Sequence, residues 1–204
     1  LHGRLQRGDQ TVKAKLLVHL RNFLARAGEG RSPRHLLARR IVAELEGAAE
    51  REAHFTAERE RALTARETRA HAPAVAVVGA GPAGIAAAYD LTLRGYRVTL
   101  FEKEQVPGGL LVTGIPPYRL PRDVLEAELT GALSVGMELR VGQALGTDFT
   151  VRGLLDSDGY GAVCLALGAG LGMQLLVPGE EATGVEDALT FLRRVNLLGQ
   201  KEIG

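Results

Sequence analysis

The chain has 204 residues, 46% of them apolar and 24% charged, and a formal net charge of +1, a balance that suits a folded domain with a sizeable core and excludes a disordered tail or a fibre. A single cysteine, Cys164, excludes a disulfide framework, a zinc site made of cysteines and a complete iron–sulfur cage within these residues, since each needs at least two thiols. Two uncharged windows, residues 72–89 and 160–179, reach membrane-span length but are broken by Gly and Pro, so no transmembrane helix is predicted. The chain starts at Leu1 with no basic-then-apolar leader; the expectation is an excerpt of a longer, cytoplasmic protein.

The near-neutral total hides two unlike parts. Residues 1–72 hold 15 Lys+Arg against 9 Asp+Glu, whereas residues 73–204 hold 10 against 15. All five histidines lie at or before His71, which excludes imidazole acid–base catalysis in the second part. In the first part Val12, Leu16, Leu20, Phe23, Leu24 and Ala27 recur at helical spacing before Gly28, predicting a helix over about 11–27. Ser32 and Pro33 open a second helix that runs through Leu36, Leu37, Ile41, Leu45 and Ala49 into the Ala/Glu/Arg-rich stretch 50–69. Its apolar stripe thins past Phe55, and same-face pairs such as Glu58 and Arg61 read as a solvated face. Arginines diluted by glutamates, with no aromatic residues between them, argue against nucleic acid as a partner.

At Ala74 the composition changes to the apolar run Val75-Ala76-Val77-Val78, the pattern of a strand buried in a parallel sheet. Gly79-Ala80-Gly81-Pro82-Ala83-Gly84 follows, and Ile85, Ala86, Tyr89 and Leu93 continue as a helix to Gly95. This is G-x-G-x-x-G between a strand and a helix, where it has a physical meaning. The first glycine permits the turn, the second lets backbone approach a pyrophosphate and the third lets helix pack on strand, while the helix N-terminus offers N–H groups to phosphate. A second strand, Arg97 to Phe101, ends at Glu102, 18 residues after Gly84. An acid there accepts ribose hydroxyls and repels a 2′-phosphate, which leaves FAD or NAD(H) and disfavours NADP(H). After the acid, an ordinary NAD-binding unit goes on to its next helix. Here a Gly- and Pro-rich excursion of about 18 residues intervenes, long enough to run along an extended flavin nucleotide.

Lys103-Glu104-Gln105-Val106-Pro107-Gly108-Gly109-Leu110 and then Gly114-Ile115-Pro116-Pro117-Tyr118-Arg119-Leu120-Pro121 resemble the FAD-binding domain of the glutamate synthase small (beta) chain family, which includes the N-terminal flavin module of dihydropyrimidine dehydrogenase. The likeness runs from about Val75 to Leu192. It implies an α/β fold: the Rossmann-like FAD-binding half of a two-dinucleotide-binding flavoprotein, preceded by a helical N-terminal segment and cut short. By it, Gly79, Ala80, Gly81, Pro82, Ala83 and Gly84 hold the FAD pyrophosphate, and Glu102 with Lys103 following takes the ribose. Gly109 and Leu110 pass beside the ribityl chain or ring, Arg119 pairs with a phosphate and Leu145 lies near the adenine. Downstream, Asp123 opens a helix carrying Val124, Leu125, Leu129 and Leu133, and 137–141 forms a strand. The buried strand 161–168 ends at Gly168, close to the cofactor, with Leu167 where the family has Thr. Cys164 in mid-strand reads as a small apolar residue.

The resemblance divides the chain into a helical segment, 1–72, an FAD-binding domain, 73–176, and a connector, 177–204, that leads toward an NAD(P)H-binding domain not among these residues. The family's helical domain carries cysteines for iron–sulfur clusters; residues 1–72 have none, so any clusters lie outside this segment or electrons leave by another route. The implied function is an FAD-dependent NAD(P)H oxidoreductase that passes electrons from nicotinamide through flavin to an iron–sulfur acceptor or partner subunit. No protein acid or base and no metal ligand is required of these residues. Two alternatives remain: a simple NAD-dependent dehydrogenase, which leaves 107–121 without a purpose, and a non-catalytic flavin-binding scaffold that docks through the helical arm.

Overall fold

The structure, a computed structural model, describes residues 15–22, 24–26, 33–69, 71–170, 172–173 and 176–200. They fall into two compact units, Leu1–His54 and Phe55–Gly204. In the first, residues 15–22 and 24–26 are helical, as the spacing of Leu16, Leu20 and Leu24 predicts; Val12, Phe23, Ala27 and the Ser32 cap lie outside the described residues. Helix α1, Pro33–Thr68, begins in this unit and ends in the other. Within the first unit Arg21 Nε donates to Glu46 Oε1 at 2.9 Å.

The second unit is built on a sheet of β1 (Ala74–Val78), β2 (Val98–Phe101), β3 (Glu138–Arg140) and β4 (Tyr160–Leu165). All pairings are parallel and the order is β3-β2-β1-β4. This is the mononucleotide-binding order in which the chain first winds outward from β1 and then crosses to its other side. The crossovers are α2 (Pro82–Leu93), α4 (Arg122–Leu133) and α5 (Val151–Asp156), with a short α3 (Leu110–Thr113) inside the excursion and α6 (Ala188–Leu198) after the sheet.

Alternation along the buried strands sends side chains to two layers. On one face Val77, Val98 and Leu100 pack with Ile85 and Ala88 of α2 and with Val135 and Met137. On the other, Ala76, Val78 and Phe101 pack with Leu154 of α5 and Tyr160, and the Phe101 ring stands 4.8 Å from that of Phe149. A register shift between Ala74 and Val75 opposite β4 lets Tyr160 join the second layer while Cys164, farther along the same strand, is half-buried against the first.

Past Phe55 helix α1 is not solvated all round. Ala62 is buried, the Phe55 ring meets Tyr89 edge-on at 6.4 Å, and a side chain at Gly131 of α4 would overlap the Phe55 ring. Arg69 Nη1 donates to Tyr96 Oη at 2.9 Å with its guanidinium over the same ring. The expected Glu58–Arg61 pair, at 3.2 Å, lies at the edge of this contact, with the Glu58 side chain only 16% exposed. The thinning stripe is sufficient because Phe55 meets the Tyr89 ring and the bare backbone of Gly131, and the small Ala62 completes the contact. Phe55→Ala is therefore expected to destabilise the second unit by about 2 kcal/mol, below the range for a fully buried Phe because the ring is half-buried; a urea titration followed by circular dichroism checks it.

Candidate functional site

The crevice at the carboxyl ends of β1 and β4, where the winding direction switches, is where such sheets bind ligands. Two of the three fingerprint glycines are required there by the chain itself. Gly79 has φ of 105° and a side chain on it would overlap the Ala166 carbonyl, just beyond β4; Ala166 N donates to Val78 O at 2.8 Å and Gly79 N to Phe101 O at 2.8 Å. A side chain at Gly84 would overlap the Gly79 carbonyl, which is the close helix-on-strand approach expected of the third glycine. Gly81 differs. Its φ of −77° is open to any residue, and the nearest atom to a Cβ there is the Gly109 Cα, at an ordinary 3.9 Å.

Gly81 is the N-cap of α2, Pro82 stands in the first turn, and no side chain caps that end. Pro82 suits this position because its missing N–H has no partner to lose. The exposed Ala83 and the buried Ala80 complete the loop.

Glu102 is 6% exposed at the end of β2. Its Oε2 accepts the Ala80 N–H at 2.7 Å and its Oε1 accepts the Glu104 N–H at 2.9 Å. A carboxylate offers about four acceptor positions, so roughly two remain after these bonds. Gln143 N donates to the Glu102 carbonyl at 2.9 Å, which sets the segment bearing Leu145 beside the acid. Leu145 itself is half-buried against the second layer and bridges to Phe149. Lys103 and Arg119 are exposed.

The excursion is folded onto the fingerprint. Gly108 N donates to Ala80 O at 2.7 Å. Gly109 has φ of 53°, and a side chain on it would come within 2.8 Å of the Gly81 Cα, so the two backbones touch. Leu110, 44% exposed, then starts α3. The chain is held in this path by a residue that the sequence reading does not single out: Arg122 donates to the carbonyls of Leu111, Val112 and Ile115 at 2.8, 2.9 and 2.9 Å. An arginine beside the predicted Arg119 carries the local structure, and its long reach to backbone leaves no spacing signal. Helix α6 also reaches the excursion. Arg193 pairs with Glu104 at 2.8 Å, and hydrogen bonding from its guanidinium holds the Glu104 carboxyl below its ordinary value. With the folded value depressed, that contribution is present above the ordinary glutamate range and lost as pH falls through the lowered one.

The structure thus brings Gly79, Gly81, Gly84, Glu102 and Gly109 together around the switch point. Gly168, exposed with φ of 69°, follows β4 on the other side of it. Among the described residues no group of three His, Cys, Asp or Glu is placed to hold a metal ion, and no helix is long and apolar enough to cross a membrane.

The fold and site define a Rossmann-like dinucleotide-binding domain, and residues 77–121 match the family model described as NAD(P)-binding Rossmann-like domain. Particular relatives are more informative. The chain is 42% identical over 125 residues to the NADP(+)-dependent formate dehydrogenase subunit beta of Moorella thermoacetica, 40% over 120 residues to the NAD-dependent dihydropyrimidine dehydrogenase subunit PreT of Escherichia coli, and 43% over 122 residues to the glutamate synthase [NADPH] small chain of Mycobacterium tuberculosis. These matches take in 59–60% of this chain but only 17%, 28% and 25% of the respective relatives. The chain therefore spans about a quarter or less of their length. The glutamate synthase and dihydropyrimidine dehydrogenase names are those to which the motifs point. Among solved structures, Mycobacterium tuberculosis FprA in complex with NADPH superposes with a TM-score of 0.54 at 23% identity, over 60% of this chain and 28% of that one; this similarity shows the fold.

The glycines separate into two kinds by experiment. Gly79→Ala and Gly84→Ala are each expected to destabilise the chain by about 2 kcal/mol or more, from backbone strain and overlap at Gly79 and from overlap alone at Gly84. Gly81→Ala is expected to cost about 1 kcal/mol or less, the difference between Gly and Ala at an N-cap. Denaturant unfolding of the three variants without nucleotide measures the contrast.

Proposed function

We propose that the chain binds the adenosine and pyrophosphate end of FAD within an NAD(P)H-dependent oxidoreductase resembling the glutamate synthase small chain, in which electrons pass from nicotinamide through flavin to an iron–sulfur or subunit acceptor. The observation that carries this reading is Gly81: it is the fingerprint glycine for which neither backbone conformation nor a neighbour within the chain requires the absence of a side chain. A ligand that approaches the backbone there supplies the reason.

The remaining features fit the same occupant. The uncapped N-terminus of α2 turns N–H groups and a partial positive charge toward a pyrophosphate. Glu102 keeps acceptor capacity for two ribose hydroxyls after its bonds to Ala80 and Glu104. The Gly109 backbone, lying against Gly81, supplies a second wall that an extended nucleotide follows from the phosphates toward Leu110. When bound, the flavin supplies hydride acceptance and one-electron release; these residues bind, orient and shield it. None of them is assigned a proton-transfer role.

A second reading has its own support: the family model's description and the relatives' names specify nicotinamide cofactors, and NAD(H) would use the same glycines and acid. Titrating the purified chain with FAD, NADH and NADPH separates the two. FAD is expected to bind saturably, followed by flavin fluorescence, more weakly than in a longer protein that encloses both ends of the ligand. No NADH or NADPH oxidation with an artificial acceptor is expected. Gly81→Val is expected to weaken FAD by roughly tenfold or more, equivalent to about 1.4 kcal/mol, with circular dichroism unchanged. Preference for NADH over FAD would establish the second reading, and undiminished FAD binding by Gly81→Val would defeat the site.

A further inference from the structure

Helix α6 is fastened to the excursion at two points on one of its faces. Arg193 Nε and Nη2 donate to the two oxygens of Glu104 at 3.0 and 2.8 Å, and Asn196 Nδ2 donates to the Thr113 carbonyl at 2.9 Å. Residues three apart share a helix face, so a single docking event makes both contacts. Their targets bracket a segment that matters. Glu104 is two residues past the ribose acid, and Thr113 ends α3. The Glu104 N–H is itself one of the two donors that orient the Glu102 carboxylate, so displacing Glu104 removes half of that orientation.

An isolated surface ion pair does little, but this one departs from that case in three respects. It is a two-point fork of the kind that adds geometric specificity. The Glu104 side chain is only 17% exposed. It is also reinforced by the part-buried Asn196 bond one turn along. The helix that carries the pair is independently closed at both ends: the Asp187 carboxylate accepts the Thr190 N–H at 3.0 Å, and Gly199 terminates it in the left-handed conformation. Such an element docks as a unit.

We propose that Arg193 and Asn196 are positioning residues for the dinucleotide site: α6 clasps residues 104–113 and, through Glu104, fixes the Glu102 carboxylate before the ligand arrives. The ligand half of this inference rests on the FAD reading above, whereas the clasp does not. By ordering the excursion in advance, the clasp removes from binding the cost of immobilising it.

The test uses the whole chain and the variants Arg193→Glu, Asn196→Ala and the exchanged pair Arg193→Glu with Glu104→Arg. Hydrogen–deuterium exchange without nucleotide reads the clasp directly. Amides of Glu104 and of residues 111–115 are expected to exchange faster in both single variants, with amides in α2 unchanged as the control for folding, and the exchanged pair is expected to restore protection. FAD titration reads the consequence. Arg193→Glu is expected to raise the Kd roughly three- to tenfold at 0.05 M NaCl, with a smaller effect at 0.5 M because the pair is partly exposed and screened. Unchanged exchange in both single variants, failure of the exchanged pair to restore protection, or an unchanged Kd in variants whose exchange has increased would each overturn the proposal. If exchange responds as expected but the wild-type chain binds no FAD, the clasp stands and the functional reading falls.

Discussion

Two hydrogen bonds to one carboxylate tie the carboxyl end of this sheet together. Glu102 closes β2, and its oxygens take the N–H of Ala80 from the fingerprint loop and of Glu104 from the start of the excursion. A buried carboxylate without such partners would be costly; here it lies beside the positive end of α2, a favourable place for an acid. The acid proposed to take a ribose is therefore also a structural pin. Its carbonyl and N–H extend the arrangement to Gln143 and Arg140, so the ends of β1, β2 and β3 share one hydrogen-bonded hub.

The hub explains why the excursion does not float free of the sheet. Glycine makes contact possible at two points, Gly108 bonding to the Ala80 carbonyl and Gly109 lying on the Gly81 Cα. Arginine then makes it persist. Arg122 satisfies three carbonyls around the end of α3, a four-residue helix too short to be stable on its own propensity. The division of labour follows from chemistry: glycine lowers the distance at which backbones meet, and guanidinium, with its five donors, gathers carbonyls that a short helix leaves unpaired.

What could be read in the sequence and what could not follows the range of the interactions. The unit from Ala74 to Glu102 was legible because it is local: a buried strand, glycines at fixed offsets, a helix with Pro82 at its start and an acid 18 residues on. Of the later elements, Arg122–Leu133 and Glu138–Arg140 were legible from spacing to within a few residues, whereas the six-residue helix Val151–Asp156 was not. The packing of Phe55 on Gly131, the reach of Arg122 to backbone, and the pairing of Arg193 with Glu104 across 89 positions were not. Such contacts depend on which surfaces the fold brings together. A side chain that bonds a main-chain carbonyl asks nothing of the residue type there, so it leaves no pattern to find. The short helix α3 leaves no signal for a related reason: Leu110-Leu111-Val112-Thr113 has too few residues to show a period.

Gly81 bears on function because it can be read in both directions. Sequence reasoning assigns all three fingerprint glycines a role, but only geometry separates those that the fold consumes from the one that it leaves available. Gly79 and Gly84 are accounted for by Ala166 and by each other. Gly81 faces ordinary contact distances and an unstrained backbone, and as an N-cap it would be replaced at little cost by Ser, Asn or Asp, each of which caps a helix as well or better. A glycine at a helix start that forgoes a favourable cap is difficult to explain by stability. The space it leaves lies at the end of α2, against the Gly109 backbone and one residue from the Ala80 N–H that binds Glu102. Phosphate recognition by backbone N–H groups needs such an opening, and a capping side chain would compete for the same donors.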